Sequence, residues 1–86
     1  MILNMNQLRA FFVAAKSNSI TKAADALMVT PPAITMQIKK LEKAVGVRLL
    51  VRDGNSIRLT KTGDSVLTRA EKIFTEIHEM EGFFDD

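Results

Sequence analysis

A mainly helical fold, with one short β-hairpin ahead of a long terminal helix, is predicted by three observations. Apolar residues recur at helical spacing in four separate stretches. Two adjacent prolines, Pro31 and Pro32, follow a threonine and open one of those stretches. After it, "DGNS" separates two short runs of alternating character. The chain has 86 residues, enough for one small domain. A chain this short buries only about 60% of the surface its unfolded form exposes, so its core is marginal and a partner is expected to add to it. With no cysteine, neither a disulfide nor a thiolate metal site can help.

The first helix is expected over roughly Asn6 to Lys16. Met5, Leu8, Phe11, Phe12 and Ala15 supply its apolar face. "SNS" ends it, because small polar residues favour turns and caps. Ser19 or Thr21 can cap a second helix, in which Ile20, Ala23, Ala24 and Leu27 fall at i, i+3, i+4 and i+7. "MVT" follows as a very short connection. Thr30 is then a good N-cap, and Pro31 stands at the first helical position, where a missing N–H costs nothing and the fixed φ is already helical. Pro32 lies in the same first turn, whose N–H groups have no intrahelical partner. The two prolines therefore mark a helix start, and they hold Thr30 out of the helical region. This third helix is expected over 31–44, buried along Ile34, Ile38, Leu41 and Val45, with Gly46 just past its end. Its opposite stripe is Pro32, Thr35, Met36, Lys39 and Lys43.

Two helices joined by so short a turn form a helix-turn-helix, whose second helix can enter the DNA major groove. Next, Leu49 and Val51 alternate with Leu50 and Arg52, and Ile57 and Leu59 alternate with Arg58, about the "DGNS" turn. After a helix-turn-helix this predicts a two-stranded wing over 49–59, with Arg52 and Arg58 able to reach phosphates, rather than a hairpin that only covers the core and leaves its arginines solvated. Thr60 can cap a last helix over roughly Lys61 to Gly82. There Val66, Ala70, Ile73, Ile77, Met80 and Phe84 step by four and three, a heptad seam that Leu67 and Phe74 widen. So wide a face on a terminal helix wants a partner: it could fold back on the domain, which is small enough to cover only part of it, and self-association is the stronger expectation. Asp64 suits the helix dipole near its start; Asp85 and Asp86 near its end do not. The expected division is a winged helix-turn-helix body over 1–60 and a dimerisation helix over 61–86.

Charge divides the same way. From Met1 to Thr60 nine cations face three anions, a net +6; from Lys61 to Asp86 three cations face seven anions, a net −4. A basic body followed by an acidic helix suggests a polyanionic partner for the body, although charge alone fits a merely solubilising surface equally well. The start, "MILNMNQLRAFF", lacks a basic segment followed by a long apolar core, and the longest apolar run, Ala10 to Ala15, is too short to cross a bilayer. A soluble, cytoplasmic protein without membrane association is expected.

These elements coincide with particular residues. "LRAF", "SITKAADAL", "PPAIT", "QIKKLEKAVGVRLLVR" and "LTKTG", at their spacing here, resemble the N-terminal DNA-binding domain of LysR-type transcriptional regulators. The resemblance covers nearly the whole chain. It implies a mainly α fold, a winged helix-turn-helix of three helices and a two-stranded wing, then a long linker helix through which two copies form a homodimer. It also implies that family members carry a larger domain sensing a small-molecule effector, a part absent here, so the chain is expected to be a fragment. Members often read Ser-Gln-Pro-Ala-Leu-Ser-Arg-Gln from the turn into the recognition helix. Here the stretch is Thr30-Pro31-Pro32-Ala33-Ile34-Thr35-Met36-Gln37. Pro31 replaces a glutamine, and Met36 replaces an arginine that typically faces DNA. A shift in target preference is therefore expected, because methionine offers apolar contact where arginine would offer bidentate hydrogen bonds.

The leading expectation is sequence-specific binding of double-stranded DNA. Pro32, Ala33, Thr35 and Met36 would meet base edges and sugars, and Thr30, Gln37, Lys39, Lys40, Arg52 and Arg58 would meet phosphates. Val66, Ala70, Ile73, Phe74, Ile77 and Met80 would form the dimer interface. A protein-interaction module that has lost DNA binding is the rival, favoured by Pro31 and Met36. Enzymatic activity is not expected: the single histidine, His78, has no cysteine or metal-ligand spacing near it, and no serine sits in a nucleophile motif. The glycines form no phosphate loop, and no cofactor or metal is predicted.

Overall fold

In a computed structural model of the chain, residues 1–54 and 56–85 are described. The helices are α1 (Met5–Ser17), α2 (Ile20–Leu27), α3 (Pro31–Val45) and α4 (Lys61–Asp85), with strands β1 (Leu50–Asp53) and β2 (Ser56–Leu59) between α3 and α4. The four helices and two-stranded antiparallel sheet are the expected winged helix-turn-helix followed by a long helix. Asn55, one of the expected turn residues, lies outside the described residues, as does Asp86.

Each helix start is closed by a side chain. Asn4 caps α1, its Oδ1 accepting from the Gln7 N–H at 3.0 Å. Ser19, not Thr21, caps α2, accepting from the Lys22 N–H at 3.1 Å. Thr30 caps α3, its Oγ1 accepting from the Ala33 N–H at 3.3 Å, with both prolines in the first turn. α1 and α2 end on left-handed residues, Asn18 at φ 54° and Met28 at φ 59°. Asparagine tolerates that region; for methionine it carries a steric cost of about 1–2 kcal/mol. The Met28 side chain is almost fully exposed, so nothing it packs against explains its presence there.

The core forms around α1. Phe11 and Ala14 are fully buried against Ala23 and Ala24 of α2 and Ile34, Ile38 and Leu41 of α3. Small residues at Ala10, Ala14, Ala23 and Ala24 let these helices approach closely. The buried face of α1 is Leu8, Ala10, Phe11 and Ala14, rotated from the expected one: Met5 is exposed, and Phe12 and Ala15 are only half-buried. The cause is that α1 is covered on several sides. α2 and α3 take one, and α4 lies over Phe12. Val45, expected in the α3 stripe, is likewise half-buried at the helix end.

The hairpin register pairs Leu50 with Leu59, Val51 with Arg58, Arg52 with Ile57 and Asp53 with Ser56. Because side chains alternate along a strand, Leu50, Arg52, Ile57 and Leu59 share one face, and Val51, Asp53 and Arg58 the other. Leu50 and Ile57 turn that first face toward the core. Leu49 precedes the strand, and its side chain is fully buried.

α4 is tied to this body at its start and along two turns. The Thr60 hydroxyl donates to the Arg48 carbonyl at 2.7 Å and accepts from the Gly63 N–H at 3.0 Å, while the Thr60 N–H donates to the Leu49 carbonyl at 3.0 Å. Gly63 is buried, and a Cβ there would fall on the Leu49 carbonyl oxygen, well inside contact distance. Further along, Phe74 stacks on Phe12 with centroids 4.9 Å apart, and the Arg9 guanidinium lies 4.7 Å from the Phe74 centroid. Two of the expected dimer contacts are therefore corrected. Ala70 and Phe74 are 1% and 8% exposed because α1 covers them, and they belong to the chain's own core. Packing consequently does not divide at residue 60. α4 also runs past the expected end at Gly82, leaving Met80, Phe83 and Phe84 exposed on its last turns.

Two stability changes follow. Gly63→Ala forces α4 away from a backbone atom that no rotamer change can move. It is expected to lower stability by about 2–3 kcal/mol, read as a fall in unfolding midpoint in urea. Met28→Gly removes the left-handed strain without loss of packing. It is expected to raise Tm by about 4–8 °C, the equivalent of about 1 kcal/mol in a domain of this size.

Candidate nucleic-acid interface

α3 is two-faced. Ile34, Ile38 and Leu41 point inward, and Pro31, Pro32, Met36, Lys39, Lys40 and Lys43 point out. The outward residues, with Thr35 and with Arg52 from β1, line one shallow groove. Among the described residues Lys39, Lys40 and Lys43 have no ion-pair partner. Lys39 and Lys43 are one helical turn apart, a like-charge spacing that costs about 0.2–0.5 kcal/mol in an isolated helix. A polyanion laid along the groove removes that repulsion.

The hairpin register explains how Arg52 arrives there. It shares the inner face of the wing with Leu50 and Ile57, and its Nη2 donates to the Thr35 Oγ1 at 3.4 Å. The bond is long, so it orients the guanidinium without consuming it. Arg58 is on the opposite face of the wing, 3.9 Å from the Asp53 carboxylate in a pair that is mostly solvent-exposed. Such pairs contribute little, and Arg58 is free to turn to another anion.

Of the sequence-expected residues, the structure brings Pro32, Thr35, Met36, Lys39, Lys40 and Arg52 together. Ala33 and Gln37 lie a step around α3, half-buried in a second groove beside Asn6, Arg9 and Val29. Thr30 is exposed at the helix start, its oxygen already engaged by the Ala33 N–H. Val66 and Ile77 are half-buried against the chain's own core, and Ile73 and Met80 are 37% and 61% exposed. His78 is exposed on α4.

Sequence reasoning missed Glu42. Its Oε2 accepts from the Leu49 N–H at 2.7 Å and the Leu50 N–H at 3.2 Å, and lies 3.4 Å from the Arg48 Nε. Only 13% of the side chain is exposed. The Arg48 Nη2 in turn donates to the Leu50 carbonyl at 3.0 Å. Glu42 thus holds the first strand of the wing against the end of α3, and with it the placement of Arg52. The one available signal was that an acid in the C-terminal half of a helix opposes the dipole.

The model of bacterial regulatory helix-turn-helix proteins of the lysR family matches residues 5–64. The transcriptional regulator CfxR of Cupriavidus necator is 38% identical over 79 residues, which cover 92% of this chain and 25% of that protein. The glycine cleavage system transcriptional activator of Escherichia coli is 40% identical over 75 residues, covering 87% of this chain and 25% of that one. The chain therefore spans about a quarter of the length of these curated relatives. Among solved structures, the complex of the CbnR DNA-binding domain with DNA superimposes with a TM-score of 0.81 at 34% identity, over 95% of this chain and 93% of that one. The complex of the BenM DNA-binding domain with catB site 1 DNA gives 0.84 at 30% identity, over 99% and 93%.

Glu42→Ala leaves two backbone N–H groups without their acceptor. The expected loss is about 1–3 kcal/mol of stability, measured by denaturant titration.

Proposed function

Because the chain belongs to the lysR family of bacterial regulatory helix-turn-helix proteins, we propose that it binds double-stranded DNA as the recognition part of a transcriptional regulator. In this reading α3 lies in the major groove and the wing rests on the sugar-phosphate backbone. The observation that carries it is the outward face of α3. Six of the expected contact residues meet there, and the lysines among them lack counter-ions among the described residues. Thr35 and Met36 reach base edges; Lys39, Lys40 and Arg52 hold phosphates, with Arg58 and Thr30 at the margins. Phosphate contacts supply most of the affinity, and the residues at base edges supply the choice of sequence.

Two copies act together in this reading. The half-buried and exposed seam of α4, from Val66 through Ile73, Ile77 and Met80, is the surface on which a second copy packs. A two-fold pair of α3 helices then reads two half-sites about one helical turn of DNA, roughly 34 Å, apart. A small-molecule effector acts only through a further domain of the kind the longer relatives have room for. The role is regulatory rather than enzymatic, and it places the protein in the cytoplasm with the DNA. No helix among the described residues is long and apolar enough to cross a membrane.

Raising salt from about 50 to 200 mM is expected to weaken binding by about 10³-fold, given Lys39, Lys40 and Arg52 on each of two copies. Lys39→Ala should reduce the slope of log affinity against log salt by about one per copy, with little change in sequence preference. Fluorescence anisotropy on a duplex selected from a random pool measures both. A folded dimer that binds no duplex at the lower salt would instead favour a protein-interaction module.

A further inference from the structure

We propose that the outer face of α3 reads C5-methyl groups in the major groove, those of thymine above all, with Met36 making the contact. This rests on α3 being the groove-facing helix and specifies what that helix recognises.

The start of α3 is short of donors. A helix N-terminus ordinarily presents free N–H groups to phosphates or base acceptors. Here Pro31 and Pro32 have none. The Ala33 N–H is taken by the Thr30 carbonyl at 3.0 Å and the Thr30 hydroxyl at 3.3 Å, and the Ile34 N–H by the Thr30 carbonyl at 3.3 Å. The first turn therefore has no backbone donor to spare.

The side chains continue this pattern. Of Pro31, Pro32, Thr35 and Met36, which line the groove, only Thr35 carries a polar group, a single hydroxyl whose oxygen also accepts from Arg52 at 3.4 Å. Met36 is 56% exposed, and both prolines are exposed in the same groove. A thioether on a flexible stem adapts its shape to a small apolar target. In the major groove one natural base displays such a target: thymine, through its methyl.

The surroundings identify the occupant as DNA rather than an apolar protein segment. Lys39, Lys40, Lys43 and Arg52 border the same groove. An apolar helix docking there would bury cations without neutralising them, at high cost. A duplex places methyl groups against Met36 and phosphates against the cations at once.

Uracil isolates the contact, because it keeps every hydrogen-bonding group of thymine and removes only the methyl. The 86-residue chain and its Met36→Ala variant would be titrated by anisotropy against a selected duplex, with uracil replacing thymine one position at a time. 5-Methylcytosine would be compared with cytosine at the responsive positions. The wild type should lose about fourfold in affinity per contacted methyl and regain it with 5-methylcytosine over cytosine. Met36→Ala should bind more weakly and lose the distinction. Equal affinity for thymine and uracil duplexes at every position, with salt-sensitive binding intact, overturns methyl reading while leaving α3 as the DNA helix. A methyl preference that survives in Met36→Ala overturns the role of Met36. No binding to any duplex by folded protein overturns the DNA reading and this inference with it.

Discussion

The backbone of Leu49 is the joint on which the molecule depends. Its N–H donates to Glu42 on α3, its carbonyl accepts from Thr60 at the start of α4, and Gly63 presses against that same carbonyl. Its side chain is fully buried. One residue thus fixes α3, both ends of the wing and the first turn of α4 relative to one another. Space is the limiting quantity. Only a residue without Cβ lets α4 begin so close to a peptide carbonyl, and one carboxylate oxygen accepting from two adjacent N–H groups closes the bend after α3. The arginine that the wing lends to the α3 face is held at that position through this joint.

The long helix has two employments on one apolar face. The stretch up to Phe74 completes the core, with Phe74 against Phe12 and Arg9 of α1, and Ala70 fully enclosed. Its last turns carry Met80, Phe83 and Phe84, which stay in solvent. At about 1.5 Å per residue, its 25 residues span roughly 37 Å, most of the 43 Å long axis. A body this small cannot cover a helix of that length. Rigid attachment of the covered stretch then fixes the direction in which the uncovered turns project, so a second copy bound there would have a defined orientation of its own α3.

Electrostatics and packing pull α3 in compatible directions. Its core face is entirely aliphatic, so burying it leaves no polar group unpaired; among the described residues no buried polar side-chain atom lacks a partner. Its outer face concentrates lysines that repel one another, and apolar groups that water solvates poorly. Both defects are relieved by a partner that is anionic and carries small apolar projections. Glu42 shows the reverse case, an anion kept within this cationic stretch because its charge is spent on backbone donors rather than on the lysines.

Legibility followed the range of the interactions. The sequence by itself determined the four helices, the hairpin and the proline-marked start of α3, since capping, the fixed φ of proline and apolar period act within a few residues. It also determined the family resemblance and the outward stripe from Pro32 to Lys43, because the face opposite an aliphatic stripe must be solvated. What only the tertiary structure decided concerns residues whose roles depend on a distant partner. α1 is enclosed on several sides, so its buried face turned to Ala10 and Ala14. α4 folds onto α1, so Ala70 and Phe74 serve the core instead of a partner. The hairpin pleat sends Arg52 to α3 and Arg58 away from it, although both looked alike in the sequence. Glu42 found its donors seven and eight residues on, across a bend that no local rule specifies. Periodicity states which residues share a face; which neighbour covers that face is fixed only when the whole chain competes for a limited buried volume.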